Sequence, residues 1–483
     1  MPSELKKKTA KGLAWGGLFS LFQQLLSFLL AIVIARRLSP SDYGMVGVLA
    51  VFTALATILQ EGGLVFVLTN RKGISDIEYS TVFWFNVLVS SFSYVILFVT
   101  APLISAYFGI DELISLSRFV FVGFFISSFG VVQSAVLYKE MRVRERGLAT
   151  FIGTIIAGIV GIILAYNGFA YWGLATQTVV STFATTLMLW YFSSFRPSLN
   201  IDFEFLKTVI PIGAKYILPN IASMVGTNIY SLILGKFYSV KDVGFYSQAV
   251  KFEEHGYSFT LGVIRNVSQP MLVQVKEDNG QFLNAFRKLV RLTALISIPL
   301  MLILALIAPE LIVLMLTPKW YFSGVILRLL CIGGAFVGLT TLASYLFISV
   351  DKPTLYMWLG ILCSVIKIVF ALMASIGGVI SLAFMCVMVD LLSFVIYYYY
   401  AYKCIGYTIN MLCDDLVKLF CLTFFVILIS YFSTSLIGNI ICRLIVRLFV
   451  SSILLILLIN YIKYDVFEEA KDIIIDKIKI YLK

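Results

Sequence analysis

Apolar stretches alternate with short polar segments along almost the whole chain. An α-helix needs about 20 predominantly apolar residues to cross the hydrocarbon core of a bilayer, and most of these stretches are about that long. The pattern predicts about 14 transmembrane helices, near residues 13–35, 44–69, 80–104, 114–137, 148–166, 170–192, 208–235, 244–270, 288–308, 321–349, 354–374, 378–400, 415–435 and 439–462. A more polar segment, residues 193–207, separates the first six from the rest.

Composition and the length of the apolar runs support a helical membrane protein and exclude a soluble protein and a transmembrane β-barrel. Of the 483 residues, 60% are hydrophobic and 13% are charged, and the mean hydropathy is +0.97. A soluble protein of this length does not need so much apolar surface. A transmembrane β-barrel is excluded because its strands are only about 9–11 residues long. We therefore predict an all-α polytopic membrane protein.

The distribution of basic residues gives the orientation. The formal net charge of +11 would suggest a nucleic-acid partner for a soluble protein. Here, however, 24 of the 37 Lys and Arg residues lie on segments that the predicted topology places on one side, together with the N-terminus. The positive-inside rule accounts for such a bias, so both termini are predicted to be cytoplasmic and no nucleic-acid partner is expected.

The ends of the chain and the cysteines add smaller expectations. The lysines before the first apolar stretch resemble the start of a signal peptide, but the stretch is too long and lacks a clear cleavage site, so we expect it to be retained. Residues 463–483 suit either an amphipathic helix on the membrane surface or a solvated helical tail. The seven cysteines form no C-x-x-C motif and mostly lie in apolar runs, so neither disulfides nor a metal site is predicted.

A short motif recurs at an offset of 200 residues. Ser39-x-x-Asp42-x-Gly44 corresponds to Ser239-x-x-Asp242-x-Gly244, each just before or at the start of a predicted second span of a six-helix set. Ser and Asp cap the following helix, and Gly permits a tight entry. The repeat predicts two parallel six-helix halves. The predicted organisation is a six-helix bundle at 1–192, a cytoplasmic linker at 193–207, a second six-helix bundle at 208–400, two additional transmembrane helices at 401–462 and a cytoplasmic tail at 463–483.

Residues 239–270 form the most informative predicted span, because they carry several charges. At 100° per residue, one stripe of this helix contains six polar or small residues: Lys251, Glu254, His255, Ser258, Gly262 and Arg265. Glu253 points the other way. Charges inside hydrocarbon usually face a partner or a water-filled cavity, so the stripe is a candidate transport pathway. The structural alternative is that Lys251 and Glu254 form a buried ion pair that fixes the helix register.

Polar residues in other spans extend this candidate cavity. Lys215 lies in the seventh span, and the candidate diphosphate-binding residues are Lys215, Lys251 and Arg265. The candidates for a polar cavity or for ion coupling are Gln23, Gln24, Glu61, Asn86, Glu254, His255 and Ser258. Isolated Asn and Gln residues more often hydrogen-bond a neighbouring helix, and a serine in a span commonly bonds its own backbone. Asp390 can pair structurally with Lys367. No catalytic residue is predicted.

Several segments resemble polysaccharide-unit flippases of the Wzx/WzxC type. The segment RKGISDIEYSTVFWFNVLVS at 71–90 is similar to a signature of that family. Further matches are LYKEMRVRERGLA (137–149), DVGFYSQAVKF (242–252), Gln269-Pro270 and APELIVLMLTPKW (308–320). They occur in family order and cover residues 10–355, whereas residues after about 400 match in hydropathy alone.

The resemblance implies a function and a location. It implies membership of the polysaccharide transporter family, in the superfamily of MATE drug exporters and the lipid II flippase, and alternating access as the mechanism. The implied cargo is undecaprenyl-diphosphate-linked oligosaccharide, moved across the bacterial inner membrane for O-antigen, capsule or exopolysaccharide synthesis. Membrane lipids, a polysaccharide polymerase and chain-length proteins are the further expected partners. No cofactor is expected, while coupling to Na⁺ or H⁺ stays open.

The charges fit that cargo, and three alternatives remain. A sugar diphosphate cannot cross hydrocarbon unaided, whereas Arg and Lys can receive it in a cavity. A MATE-like drug antiporter shares the architecture but needs an acidic or apolar cavity. A polymerase or lipid-linked glycosyltransferase usually has a large external loop, and here the longest outward loop has about a dozen residues. A membrane scaffold gives no reason for charges inside spans. The predicted function is therefore a flippase and not an enzyme.

Overall fold

The structure, a computed structural model, describes residues 22–61, 64–71, 73–275, 278–462 and 467–468. Within these ranges the protein is helical and has no β-strand. The first helix, α1, covers residues 22–37. The others are α2 (Pro40–Gly47), α3 (Ala50–Glu61), α4 (Leu64–Asn70), α5 (Asp76–Phe108), α6 (Glu112–Lys139), α7 (Val143–Tyr166), α8 (Ala170–Phe192), α9 (Phe203–Phe237), α10 (Val240–Gln274), α11 (Asn279–Leu316), α12 (Tyr321–Ser349), α13 (Pro353–Ala374), α14 (Gly378–Ile405), α15 (Ile409–Thr434) and α16 (Ile440–Ile462).

Ten stretches of the described residues are long and apolar enough to cross a membrane. They lie in α2–α3, α5, α6, α7 and α11 to α16. The prediction of an all-α, multi-pass membrane protein is therefore confirmed. The total of about 14 transmembrane helices and the two parallel repeats stay predictions. The amphipathic tail predicted for 463–483 falls almost entirely outside the described residues.

Hydrogen bonds at the helix ends explain where the structure departs from the predicted spans. Ser75 and Glu78 form a capping box, which starts α5 four residues before the predicted position 80. Asp202 accepts a hydrogen bond from the amide of Phe205, so α9 begins inside the predicted linker 193–207. The predicted span 44–69 is interrupted at Val48–Leu49, where the Leu49 amide bonds to the carbonyl of Val46, three residues earlier instead of four.

The chain forms two compact units, residues 1–244 and 245–483, so the boundary falls within α10. In the first unit, small residues let α7 and α8 approach closely. Gly153, Ala157 and Gly161 recur every four residues along α7 and are buried. A Cβ at Gly153 would overlap the Thr185 hydroxyl, and one at Gly161 would touch the Gln177 side chain. Close packing of this kind stabilises helix pairs in membranes.

The polar segment between α8 and α9 is fixed to α5 by side-chain hydrogen bonds. The Trp84 indole donates to the carbonyl of Ser198 at 2.8 Å, and the Ser198 amide donates to Ser80 at 3.0 Å. The Asp202 amide donates to Thr81 at 2.8 Å. These bonds satisfy backbone groups that belong to no helix, and they hold the start of α9 in place.

In the second unit, α11 packs along α12 and also contacts α15 and α16. Gly324 lies against the backbone of Pro309, so a Cβ there would not fit. The Ser297 hydroxyl donates to the carbonyl of Ala335 at 2.8 Å. The ends of these four helices bring several arginines together, as described below.

Candidate functional site

The predicted charged stripe corresponds to one exposed face of α10. Lys251, Glu254 and His255 are exposed, whereas Glu253 and Thr260 are buried. Ser258 is half-buried, and the space beside Gly262 is open. The helix thus has one buried and one polar face, which separates Glu253 from the stripe as predicted.

Two interactions of side chains on this face, both within α10, bear on the structural explanations that the sequence offers for Ser258 and for Lys251 with Glu254. The Ser258 hydroxyl donates to the carbonyl of His255 at 2.9 Å, as expected for a serine that bonds its own helix. Lys251 and Glu254 lie three residues apart and attract each other electrostatically. The face therefore presents a carboxylate and an ammonium that attract each other, together with an imidazole.

Three predicted site residues lie on helices whose backbone is described, while their side chains are not. These are Glu61 at the end of α3, Lys215 in α9 and Arg265 in α10. Their predicted roles stay predictions.

The amide residues predicted in the first unit differ in their surroundings. Gln23 is half-buried and accepts a hydrogen bond from the Thr150 hydroxyl of α7 at 3.2 Å, so it acts between helices. Gln24 is exposed. Asn86 in α5 is fully buried, and neither atom of its amide has a hydrogen-bond partner among the described residues.

Other buried polar side chains lie on α5 and on two helices that pack against it, α3 and α6. Ser90 lies one turn beyond Asn86 along α5, Gln133 is on α6 and Gln60 is on α3. The Gln60 carbonyl oxygen accepts from Ser127 at 3.0 Å, but its amide nitrogen, Ser90 and Gln133 have no partner among the described residues. Buried polar groups normally find partners, so each of these atoms is a position where a bound water is expected.

A charged group inside the second unit joins α13 and α14. Lys367 and Asp390 form an ion pair at 3.6 Å, the structural pairing that the sequence suggests. Glu253, from the buried face of α10, lies close enough to interact electrostatically with both. Sequence reasoning placed Glu253 off the stripe but assigned it no partner, because its neighbours are more than 100 residues away.

Two further ion-pair clusters were missed from the sequence. Asp415 is fully buried and accepts from Arg287 at 2.9 and 3.1 Å and from Arg291 at 2.6 Å. The second cluster joins α11 to α16 and contains Glu310, Arg443 and Arg447. A signal was present in both cases, since each cluster uses two arginines four residues apart on an apolar helix, which places them on one face.

Comparisons with known proteins agree with this architecture. The sequence profile of the polysaccharide biosynthesis protein family matches residues 33–323. The chain is 24% identical over 336 residues to the lipopolysaccharide biosynthesis protein WzxC of Escherichia coli, which covers 68% of each protein.

Two solved structures share the fold. The lipid II flippase MurJ, in an inward closed conformation, superposes with a TM-score of 0.72 and 15% identity over 92% of this chain and 99% of MurJ. An inward-facing multidrug resistance MATE family transporter superposes with a TM-score of 0.64 and 18% identity over 79% of this chain and 94% of that protein. The family match spans more than half of the chain, and we conclude that this protein belongs to the polysaccharide biosynthesis protein family.

Proposed function

We propose that this protein is a flippase for undecaprenyl-diphosphate-linked oligosaccharide. It carries each unit from the cytoplasmic to the outer leaflet of the bacterial inner membrane by alternating access, for O-antigen, capsule or exopolysaccharide synthesis. The family, the similarity to WzxC and the fold in common with a lipid II flippase support a lipid-linked glycan as cargo.

The observation that carries this proposal is the exposed charged face of α10. Lys251, Glu254 and His255 lie exposed on one side of a 35-residue helix in a chain that is otherwise strongly apolar. Charges at such a position are expensive beside lipid, so they favour a water-filled pathway. We propose that this face lines the path of the sugar diphosphate, while the lipid tail stays in the bilayer.

Lys251 is the described cation that would contact the diphosphate, with Arg265 and Lys215 as its proposed companions. Arg265 lies 14 residues from Lys251, which places it on the same stripe about 21 Å further along the helix. A guanidinium can offer paired donors to phosphate, whereas an ammonium acts as a point charge. Cations spaced along one face can pass an anion from one to the next.

Ion coupling belongs to the same proposal. Glu254 and Glu61 are carboxylates on predicted spans and can bind Na⁺ or H⁺ to drive the exchange. Glu254 already interacts with Lys251, so protonation of Glu254 would strengthen the field that Lys251 exerts on a diphosphate. The membrane lipids, the polysaccharide polymerase and the chain-length proteins are the partners that fit this role.

The direct test is leaflet exchange in proteoliposomes. A fluorescent undecaprenyl-diphosphate oligosaccharide is incorporated into both leaflets, and a membrane-impermeant quencher reports the fraction on the outer side over time. We expect exchange that depends on the protein, and flux that changes with the Na⁺ or H⁺ gradient. A correctly folded protein that exchanges none of several sugar units would contradict the proposed cargo.

A MATE-like multidrug antiporter is the alternative, because a transporter of the MATE family shares the fold. The exposed face of α10 argues against it, since Lys251 and His255 lie beside Glu254 there and a site for cationic drugs needs a mainly acidic or apolar lining. The same proteoliposomes decide between the two. Uptake of ethidium without exchange of the lipid-linked oligosaccharide would favour the antiporter.

A further inference from the structure

A cavity of about 230 Å³ opens at one end of the second unit, and none of the residues that line it belongs to α10. It lies where α11 and α15 end and where α12 and α16 begin. Its charged and aromatic lining consists of Glu310, Tyr321, Arg328, Tyr431, Arg443 and Arg447. The predicted topology, based on the distribution of basic residues, places this end on the outer side of the membrane.

The lining carries more positive than negative charge. Three arginines surround one carboxylate, so the cavity has a formal charge of +2. Glu310 accepts a hydrogen bond from Arg447 at 2.8 Å and forms a longer ion pair with Arg443 at 3.7 Å. Arg328 has no ion pair among the described residues and lies near enough to Arg447 to repel it.

Arg447 is the structural member of this group. Its side chain is 3% exposed, and it also donates to the Thr434 hydroxyl at 3.0 Å and to the carbonyl of Leu306 at 3.3 Å. It therefore ties α16 to α11 and to the end of α15. Arg328 and Arg443 also line the cavity, and each has fewer hydrogen-bond and ion-pair partners than Arg447 among the described residues.

Two buried polar atoms at the cavity have no hydrogen bond. These are Oε2 of Glu310 and Nε of Arg443, within the part of the chain that the structure describes. Arg443 also lies in the first turn of α16, where the helix macrodipole is positive and so opposes a cation. The Asn439 side chain already accepts hydrogen bonds from the amides of Ile441 and Cys442, so the Arg443 guanidinium is the group here that favours an anion in front of it.

The size and edge of the cavity fit a phosphate group. A single water needs only about 10–15 Å³ of such space, so the cavity has room for a phosphate with water around it. Tyr321 and Tyr431 are 57% and 46% exposed. Tyrosines favour the level of lipid head groups, which is where a phosphate of a lipid lies.

We propose that this cavity, the outer arginine pocket (Glu310, Arg328, Arg443 and Arg447), binds a phosphate group, carried either by an anionic lipid or by a small soluble phosphate. Arg328 and Arg443 supply the hydrogen-bond donors. Arg447 forms the shorter ion pair with Glu310, so the carboxylate does not neutralise Arg328 and Arg443 together. The pocket contains no residue of the α10 face, so its test does not depend on whether the flippase proposal is correct.

The test measures binding to the purified, delipidated full-length protein in neutral detergent. The probes are dioctanoyl phosphatidylglycerol, inorganic phosphate and, as an uncharged lipid, dioctanoylglycerol. Calorimetry gives the Kd of each for wild type, Arg328→Gln and Arg443→Gln. The control is Arg118→Gln, a half-buried arginine near the start of α6 that contacts Phe98 instead.

We expect phosphatidylglycerol to bind wild type and Arg118→Gln alike, and each pocket variant at least tenfold more weakly. Competition by inorganic phosphate would identify the pocket as a site for free phosphate as well, whereas binding of the lipid alone would assign it to a head group. Equal binding of dioctanoylglycerol, or affinities unchanged in both folded pocket variants, would overturn the proposal. Wild-type binding must also weaken at high salt, which tests the charge dependence without any substitution.

Discussion

Gly44 and Gly244 hold equivalent positions in the two copies of the Ser-x-x-Asp-x-Gly motif, and each lies against the backbone of the other copy. A Cβ on Gly44 would overlap the carbonyl oxygen of Val240, and one on Gly244 would overlap that of Pro40. In both copies the Asp carboxylate accepts from the Ser amide and hydroxyl, and the Ser hydroxyl accepts from the Asp amide. The predicted capping role is confirmed, and the glycines have a packing role that the sequence alone did not indicate.

Gly44→Ala and Gly244→Ala should therefore destabilise the protein. The added methyl group meets a backbone oxygen, which cannot turn away as a side chain can, so we expect a loss of about 1–3 kcal/mol each. Gly360→Ala is the matched control, because Gly360 lies within α13 with open space beside it. Thermal unfolding in detergent measures the effect. Equal melting temperatures for all three variants and wild type would contradict this contact.

Asp415→Asn should destabilise the second unit strongly. The change leaves Arg287 and Arg291 without the buried carboxylate that both now contact, and breaking a buried ion pair costs about 3 kcal/mol. Asp414→Asn is the control, since Asp414 is adjacent but exposed. We expect a melting temperature lower by at least about 3 °C for Asp415→Asn alone. Similar values for both variants would show that the cluster contributes little.

The Tyr407 hydroxyl predicts a dependence of stability on pH. It donates to Asp415 at 3.0 Å, and burial, followed by the nearby Tyr398 and Asp415, raises its pKa far above the ordinary value. The phenol therefore keeps its proton in the folded protein, whereas in the unfolded chain it ionises near pH 10. The contribution of this hydroxyl to the free energy of unfolding is complete below about pH 10 and is lost as the pH rises further.

The comparison with Tyr407→Phe isolates this effect. At pH 7 the variant should be less stable by about 1.5–3 kcal/mol, the net value of a hydrogen bond to a charged group. The difference in melting temperature between wild type and variant should shrink between about pH 10 and pH 11. A difference that grows with pH over this interval would contradict the assigned donor role.

Much of the fold could be predicted because apolar length and capping residues are local properties. The predicted 114–137, 170–192 and 354–374 lie within or match α6, α8 and α13 to within a few residues. The break at Val48–Leu49 could not be predicted, since both residues are apolar and the run continues through them. The early start of α9 depends on Asp202, a cap that lay within a segment assigned to a linker by its polarity.

The site was only partly predictable, because a helical wheel gives a side chain's direction and not its neighbour. It placed Lys251, Glu254 and His255 on one exposed face of α10. It could not pair Glu253 with Lys367 and Asp390, which lie on distant helices. Asn86 shows the same limit, since its polarity marked it but did not show that it is fully buried and has no hydrogen-bond partner among the described residues.

The most direct test of the central claim is the leaflet exchange of a labelled undecaprenyl-diphosphate oligosaccharide by wild type, Lys251→Ala and Lys403→Ala at equal amounts of folded protein. Lys403 is the control, an exposed lysine at the end of α14 that contacts Tyr399 and Tyr400. Our account predicts at least a tenfold slower exchange for Lys251→Ala and a wild-type rate for Lys403→Ala. A wild-type rate in Lys251→Ala would contradict the assignment of the α10 face to the path of the diphosphate.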